Sequence, residues 1–147
     1  MGRVKLVFPD KKPLFKATIS VRIGDINYGG HVGNDAVLSI IHEARMQLLA
    51  AHGYTELKAG GNSLIMGDVM IAYRGEAFYG DILTVIMYAD DVAVRSFDVL
   101  YHITTMRNGK VTDIAHAKTG MVCFDYETRK TAAMTDELRR VLEGISD

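Results

Sequence analysis

The stretch from Asn34 to Ala51, NDAVLSIIHEARMQLLAA, restricts what this chain can fold into more than any other. Val37, Ile41, Ala44 and Leu48 recur at helical spacing, Leu38 and Leu49 widen the stripe, and Ile40 lies further round. A helix that is apolar over most of its circumference has to be buried, not laid on a surface. Ser39, Glu43 and Gln47 are left as a narrow polar line. Asn34 or Asp35 can cap the start, accepting from the orphan N–H groups of the first turn. Gly53 supplies the left-handed residue wanted past the end.

What could cover this helix is strand. FKATISVRI precedes it, rich in β-branched residues and loosely alternating. After Gly61 come SLIMGDVMIAYRGEAF, a Gly80-Asp81 turn, ILTVIMYAD, and RSFDVLYHITTMR, which places Phe97, Val99, Tyr101 and Ile103 on one face. Asn108-Gly109 is the strongest hairpin signal, because both residues tolerate positive φ, and KVTDIAHAKTGMVCFD returns from it. TDELRRVLEGI reads as a short closing helix capped by Thr135, with Asp136 and Glu137 at its positive end. Helix and strand do not alternate, so the class is α+β, one domain over residues 1–147. A curved antiparallel sheet of about five strands wrapped around one long helix buries that helix most simply. The sheet's exposed edge and outer face then favour a second copy, giving a homodimer or a dimer of dimers.

Charge excludes some partners. Lys and Arg number 17 and Asp and Glu 18, a net charge of -1, with no basic excess for nucleic acid. No apolar run is long enough to span a bilayer, and MGRVKLVFPDKK acquires charge too soon for a signal peptide. Cys123, the lone cysteine, has no internal disulfide partner and reads as a small buried hydrophobe in TGMVCFD. A cytoplasmic protein is expected. His52, His102 and His116 are scattered, and no pair of histidines has the spacing of a metal site, so no metal is expected. The glycines of NYGGHVGND lack the dinucleotide spacing.

The polar cluster at the mouth of the helix carries the chemistry. VRIGDINYGGHVGNDAVLSIIHEAR resembles the motif of the hotdog-fold acyl-CoA thioesterases, the 4-hydroxybenzoyl-CoA thioesterase-like group. That motif reads Asp-x-(Asp/Asn)-x-x-Gly-His-Val-x-Asn, an apolar helix, then Glu-x-Ala-Arg; this chain has Glu43-Ala44-Arg45, without the intervening residue. YGDIL and AKTGMVCFDYETRK resemble later strands of the same family. The resemblance implies a hotdog fold and hydrolysis of an acyl-CoA or related thioester by water, with no cofactor beyond the coenzyme A of the substrate. It also implies an oxyanion hole at the helix N-terminus, where unpaired N–H groups and the helix dipole stabilise developing negative charge.

By that resemblance the N–H near Asn34 is a donor and Gly33 admits the substrate. Asn27 stands where many relatives carry an Asp; an amide can position water or the carbonyl but cannot be a nucleophile or base. Its other role is a turn residue. His42 lies near where some relatives place an acid that activates water, and histidine does this near neutral pH; otherwise it is a histidine at the edge of the core. Glu43 is the competing base, or a solvated or dimer-facing carboxylate. Asp25 orients Asn27 or a histidine, or forms a turn, and His31 fixes the loop or shares in proton transfer. Asp68 interrupts an apolar strand face; it is either an acid contributed across a dimer interface or, the favoured reading, a residue on a face exposed to solvent. Two alternatives stand beside hydrolysis: a hotdog enoyl-thioester hydratase, whose loop Asp-x-Asn-Pro-x-His is one residue shorter than Asp25–His31, and a non-catalytic acyl or CoA binder.

Overall fold

The computed structural model describes residues 4–144. In chain order it contains β1 (Phe15–Ser20), a 3-10 turn (Ile23–Asp25), α1 (Asn34–Ala51), β2 (Ser63–Tyr73), β3 (Ile82–Asp90), β4 (Ser96–Arg107), β5 (Lys110–Asp125), β6 (Lys130–Thr131) and α2 (Asp136–Leu142). The sheet is antiparallel throughout, in the order β1-β3-β4-β5-β2, with the two-residue β6 beside β5. This is the expected α+β hotdog architecture with one small extra strand. The expected closing helix ran to Ile145, which lies outside the described residues, as do Met1–Arg3. Among the described residues no helix is long and apolar enough to cross a membrane.

Helix α1 and the inner face of the sheet share one core. Ile41 and Ala44 are fully buried, and Phe97, Val99, Tyr101 and Ile103 of β4 are at most 4% exposed. The stripe is rotated from the expected one: Ile40 is inside at 4% exposure, whereas Leu38, at 39%, faces a groove beside β2. Neither Asn34 nor Asp35 caps α1. The cap position is Gly33, extended at φ -70° and ψ 154°, with no side-chain bond. The preceding loop decides this, because the Gly33 N–H donates to the Asp25 carbonyl at 2.9 Å and the Val32 N–H to the Ala77 carbonyl at 2.8 Å. Strand β1 ends at Ser20, not Ile23, because the Arg22 N–H turns to the Asp25 carboxylate at 2.8 Å and opens the 3-10 turn.

The strands after Gly61 follow one another in sequence but not all in the sheet: β2 pairs with β5, at the opposite edge from β1. Alternation fixes which face of a strand is buried but not which strand lies beside it. Asn108 and Gly109 turn the β4–β5 hairpin at φ 53° and 74°, as read from the sequence. Thr135 caps α2, accepting from the Leu138 N–H at 3.2 Å. Asp68 is exposed beyond a register shift at Gly67 and accepts from Lys118 Nζ and the Gly120 N–H, each at 2.9 Å. Cys123 is fully buried, and that burial pushes its thiol above the ordinary range.

Candidate active site

The loop before α1 is tightly tied. The Asn27 N–H donates to the His31 carbonyl at 2.9 Å, and its Oδ1 accepts from the Gly29 N–H at 2.9 Å, so its side chain shapes the turn. The Asp25 carboxylate is occupied by the Arg22 N–H. His31 Nδ1 lies 3.1 Å from the Val32 carbonyl, and Nε2 is 4.0 Å from Glu76. A Cβ at Gly33 would come within 2.7 Å of Asp35 Oδ1, so a larger residue there would have to displace the Asp35 carboxylate. Among the described residues no acceptor takes up the N–H groups of Asn34 and Asp35 at the helix mouth. The Tyr73 hydroxyl donates to the Asn34 carbonyl at 2.9 Å.

A groove of about 610 Å³ runs beside the middle of α1, with Leu38, Leu64 and Met66 on its apolar walls and His42, Arg45 and Glu56 as its main polar groups. His42 Nε2 is 2.8 Å from Glu56 Oε1, and the other carboxylate oxygen accepts from Arg45 Nε at 3.1 Å. Arg45 is only 5% exposed. Its Nη1 donates to the Tyr101 hydroxyl at 3.1 Å, so Tyr101 gives its own hydrogen to Thr119 Oγ1 at 2.7 Å. Burial opposes ionisation of Glu56, but hydrogen bonds from His42 and Arg45 and the Arg45 charge outweigh it and hold the carboxyl below the ordinary range. Burial pushes Tyr101 up, which keeps it a neutral phenol.

An ionised Glu56 can only accept, so Nε2 of a neutral His42 carries the hydrogen and the lone pair sits on Nδ1. A base held by a carboxylate, which a buried arginine holds in turn, repeats the logic of an oriented general base.

The expected site residues therefore fall into separate groups. Asp25, Asn27, His31, Gly33 and Asn34 are brought together around the helix mouth. His42 lies eight residues along α1, ~12 Å by helical rise. Glu43 holds the Gln47 amide at 3.2 Å and lines a different, smaller depression of about 310 Å³ that it shares with Asp25. Glu56, Arg45 as a buried cation, and Tyr101 were not singled out from sequence. The one signal for Arg45 was a charge falling on the buried side of an apolar helix. Glu56, in a loop, gave none.

The family model described as the thioesterase-like superfamily matches residues 21–142. The chain is 29% identical over 128 residues to the long-chain acyl-CoA thioesterase FadM of Escherichia coli K12, covering 86% of this chain and 96% of that protein. Its fold matches Slr0204, a 1,4-dihydroxy-2-naphthoyl-CoA thioesterase from Synechocystis, with a TM-score of 0.76 at 22% identity, over 87% of this chain and 94% of that one. It also matches SAV2348 from Staphylococcus aureus, solved in complex with CoA, with a TM-score of 0.78 at 18% identity, over 96% and 91% of the two chains. With a family match across most of its length and the helix-in-sheet architecture, the chain belongs to the thioesterase-like superfamily, as a thioester hydrolase of hotdog fold.

Proposed function

We propose that this protein hydrolyses an acyl-CoA thioester by direct attack of water, with His42 as general base. The observation that carries the reading is the His42–Glu56–Arg45 chain on the wall of the groove. The similarity to FadM, and the CoA complex of a protein of the same fold, support acyl-CoA as the substrate class. In the proposed step the water oxygen bonds to the thioester carbonyl carbon while His42 Nδ1 takes its proton. The carbonyl oxygen becomes an oxyanion, for which the Asn34 and Asp35 N–H groups are the proposed donors. The C–S bond then breaks, the thiolate leaves with the proton from the imidazolium, and the acyl group leaves as the carboxylic acid.

The hydratase alternative needs Asp25 and His31 to face a shared substrate, yet the Asp25 carboxylate bonds the Arg22 N–H and the His31 ring lies against the Val32 carbonyl. Thiol release from a panel of acyl-CoA substrates tests the proposal. Hydrolysis supports it, water addition to an enoyl-CoA without thiol release replaces it with a hydratase, and binding without turnover leaves a carrier.

The helix mouth and His42 are too far apart to act on one carbonyl within one chain, so the proposal includes a homodimer with composite sites. Strand β2 is a sheet edge, and Met66, Val69 and Tyr73 on it are 40–50% exposed. Light scattering at micromolar concentration should give twice the chain mass or a multiple of it; a monomer rejects the composite site.

Asn27→Ala should lower turnover by about tenfold, less than the loss of an oxyanion donor, because its Oδ1 shapes the loop. Asn27→Asp keeps an acceptor at that position and should retain most activity. Equal loss in both variants would show that the amide itself is needed.

A further inference from the structure

We propose a divalent transition-metal site at His102, Asp113 and His116, on the face of the sheet opposite the groove. One donor atom from each residue lies within 4.8 Å of the others. His102 Nε2 is 2.6 Å from Asp113 Oδ1, and His116 Nε2 is 3.3 Å from Asp113 Oδ2. His102 and His116 are direct cross-strand partners on β4 and β5.

The site is built by an irregularity. In a regular strand Asp113 and His116, three apart, point to opposite faces. The β4–β5 register shifts here: Ile103 faces Ala115 and Thr104 faces Asp113, so Ile114 has no partner. Ile114 and Ala115 are both buried, and the extra residue turns Asp113 to the side of His116. Tyr101, next to His102, points inward to Arg45, which sets the cluster across the sheet from the groove.

The rings are held in place. Phe8 stacks on His102 with centroids 4.8 Å apart and meets His116 edge-on at 5.1 Å. The Asp113 carboxylate reaches both imidazoles, one through each oxygen, and so stands between the two ring nitrogens. Two imidazoles and a carboxylate are the donor set of a zinc site with three protein ligands and an open position for water. The metal would replace the protons now shared between the imidazoles and Asp113.

Binding through Nε2 puts the His116 proton on Nδ1, a buried atom without a partner among the described residues. The lack of an acceptor there weakens the site by roughly ten- to a hundredfold relative to a fully supported one. Its role is therefore that of a clamp on the hairpin and the Phe8 segment, not of a catalytic centre.

The test is equilibrium dialysis of the chelator-stripped full chain against Zn²⁺, with elemental analysis, and Co²⁺ absorption to report tetrahedral geometry. One Zn²⁺ per chain is expected, and its affinity should fall at least about tenfold in each of His102→Asn, Asp113→Asn and His116→Asn. Zn²⁺ should raise the melting temperature of the parent and not of the variants, while thioester hydrolysis survives the chelator. Circular dichroism establishes that each variant folds, and His102→Gln replaces any that does not. No stoichiometric Zn²⁺, or binding retained in all three variants, overturns the proposal.

Discussion

His42→Gln should lower acyl-CoA turnover by roughly a hundredfold or more, within the range for loss of a general base, equivalent to about 2.7 kcal/mol of barrier. Glutamine keeps a donor for Glu56 and so preserves the hydrogen bond now made at 2.8 Å. What it removes is the basic lone pair. The variant should stay folded while its pH–rate profile loses the limb that a general base produces. Glu56→Gln should lower turnover less, by about tenfold, since it leaves the base in place but loosens the tautomer that aims Nδ1. Glu43→Gln should do least, because that carboxylate holds Gln47 in the other depression. Measured pH–rate profiles decide the assignment: Glu43 essential with His42 dispensable would move the base by one residue.

Arg45→Met should cost the fold about 3 kcal/mol, the low end of the range for breaking a buried ion pair by removing one partner. The low end applies because the Glu56 side chain keeps 26% of its surface in water and can rehydrate, whereas the Tyr101 hydroxyl, fully buried, loses a donor with nothing to replace it. Adding Glu56→Leu to Arg45→Met should recover part of the loss, since it removes the stranded charge. The sign with pH follows from Glu56. Its folded carboxyl is depressed, so its contribution is full above the unfolded value and fades as pH falls through the folded one. Without Arg45 the depression shrinks, so the variant, though less stable at neutral pH, should lose less stability than the parent as pH falls across that window. Urea denaturation across a pH series measures both effects; a variant as stable as the parent would show that the pair contributes nothing net.

The apolar helix and the run of strands were legible because they depend on local periodicity. Val37, Ile41, Ala44 and Leu48 repeat at the helical interval, and Phe97, Val99, Tyr101 and Ile103 alternate, and all of them are buried. Turn and cap chemistry was legible for the same reason: Asn108, Gly109, Gly53 and Thr135 act through their own backbone or that of near neighbours. The cap of α1 was misread because the loop before it is fixed by Ala77 and Asp25, and distant partners leave no local mark.

By itself the sequence determined the α+β class, one helix buried in a sheet, and the polar motif at the helix mouth, since each is written within a few consecutive residues. Only the tertiary structure decided that β2 lies beside β5 and that Glu56 meets His42 and Arg45. It alone set His102 against Asp113 and His116 across a bulged hairpin. A sequence pattern records which side of an element meets the core. Which distant side chains then share a hydrogen bond depends on strand order and register, and those are settled by packing over the whole domain.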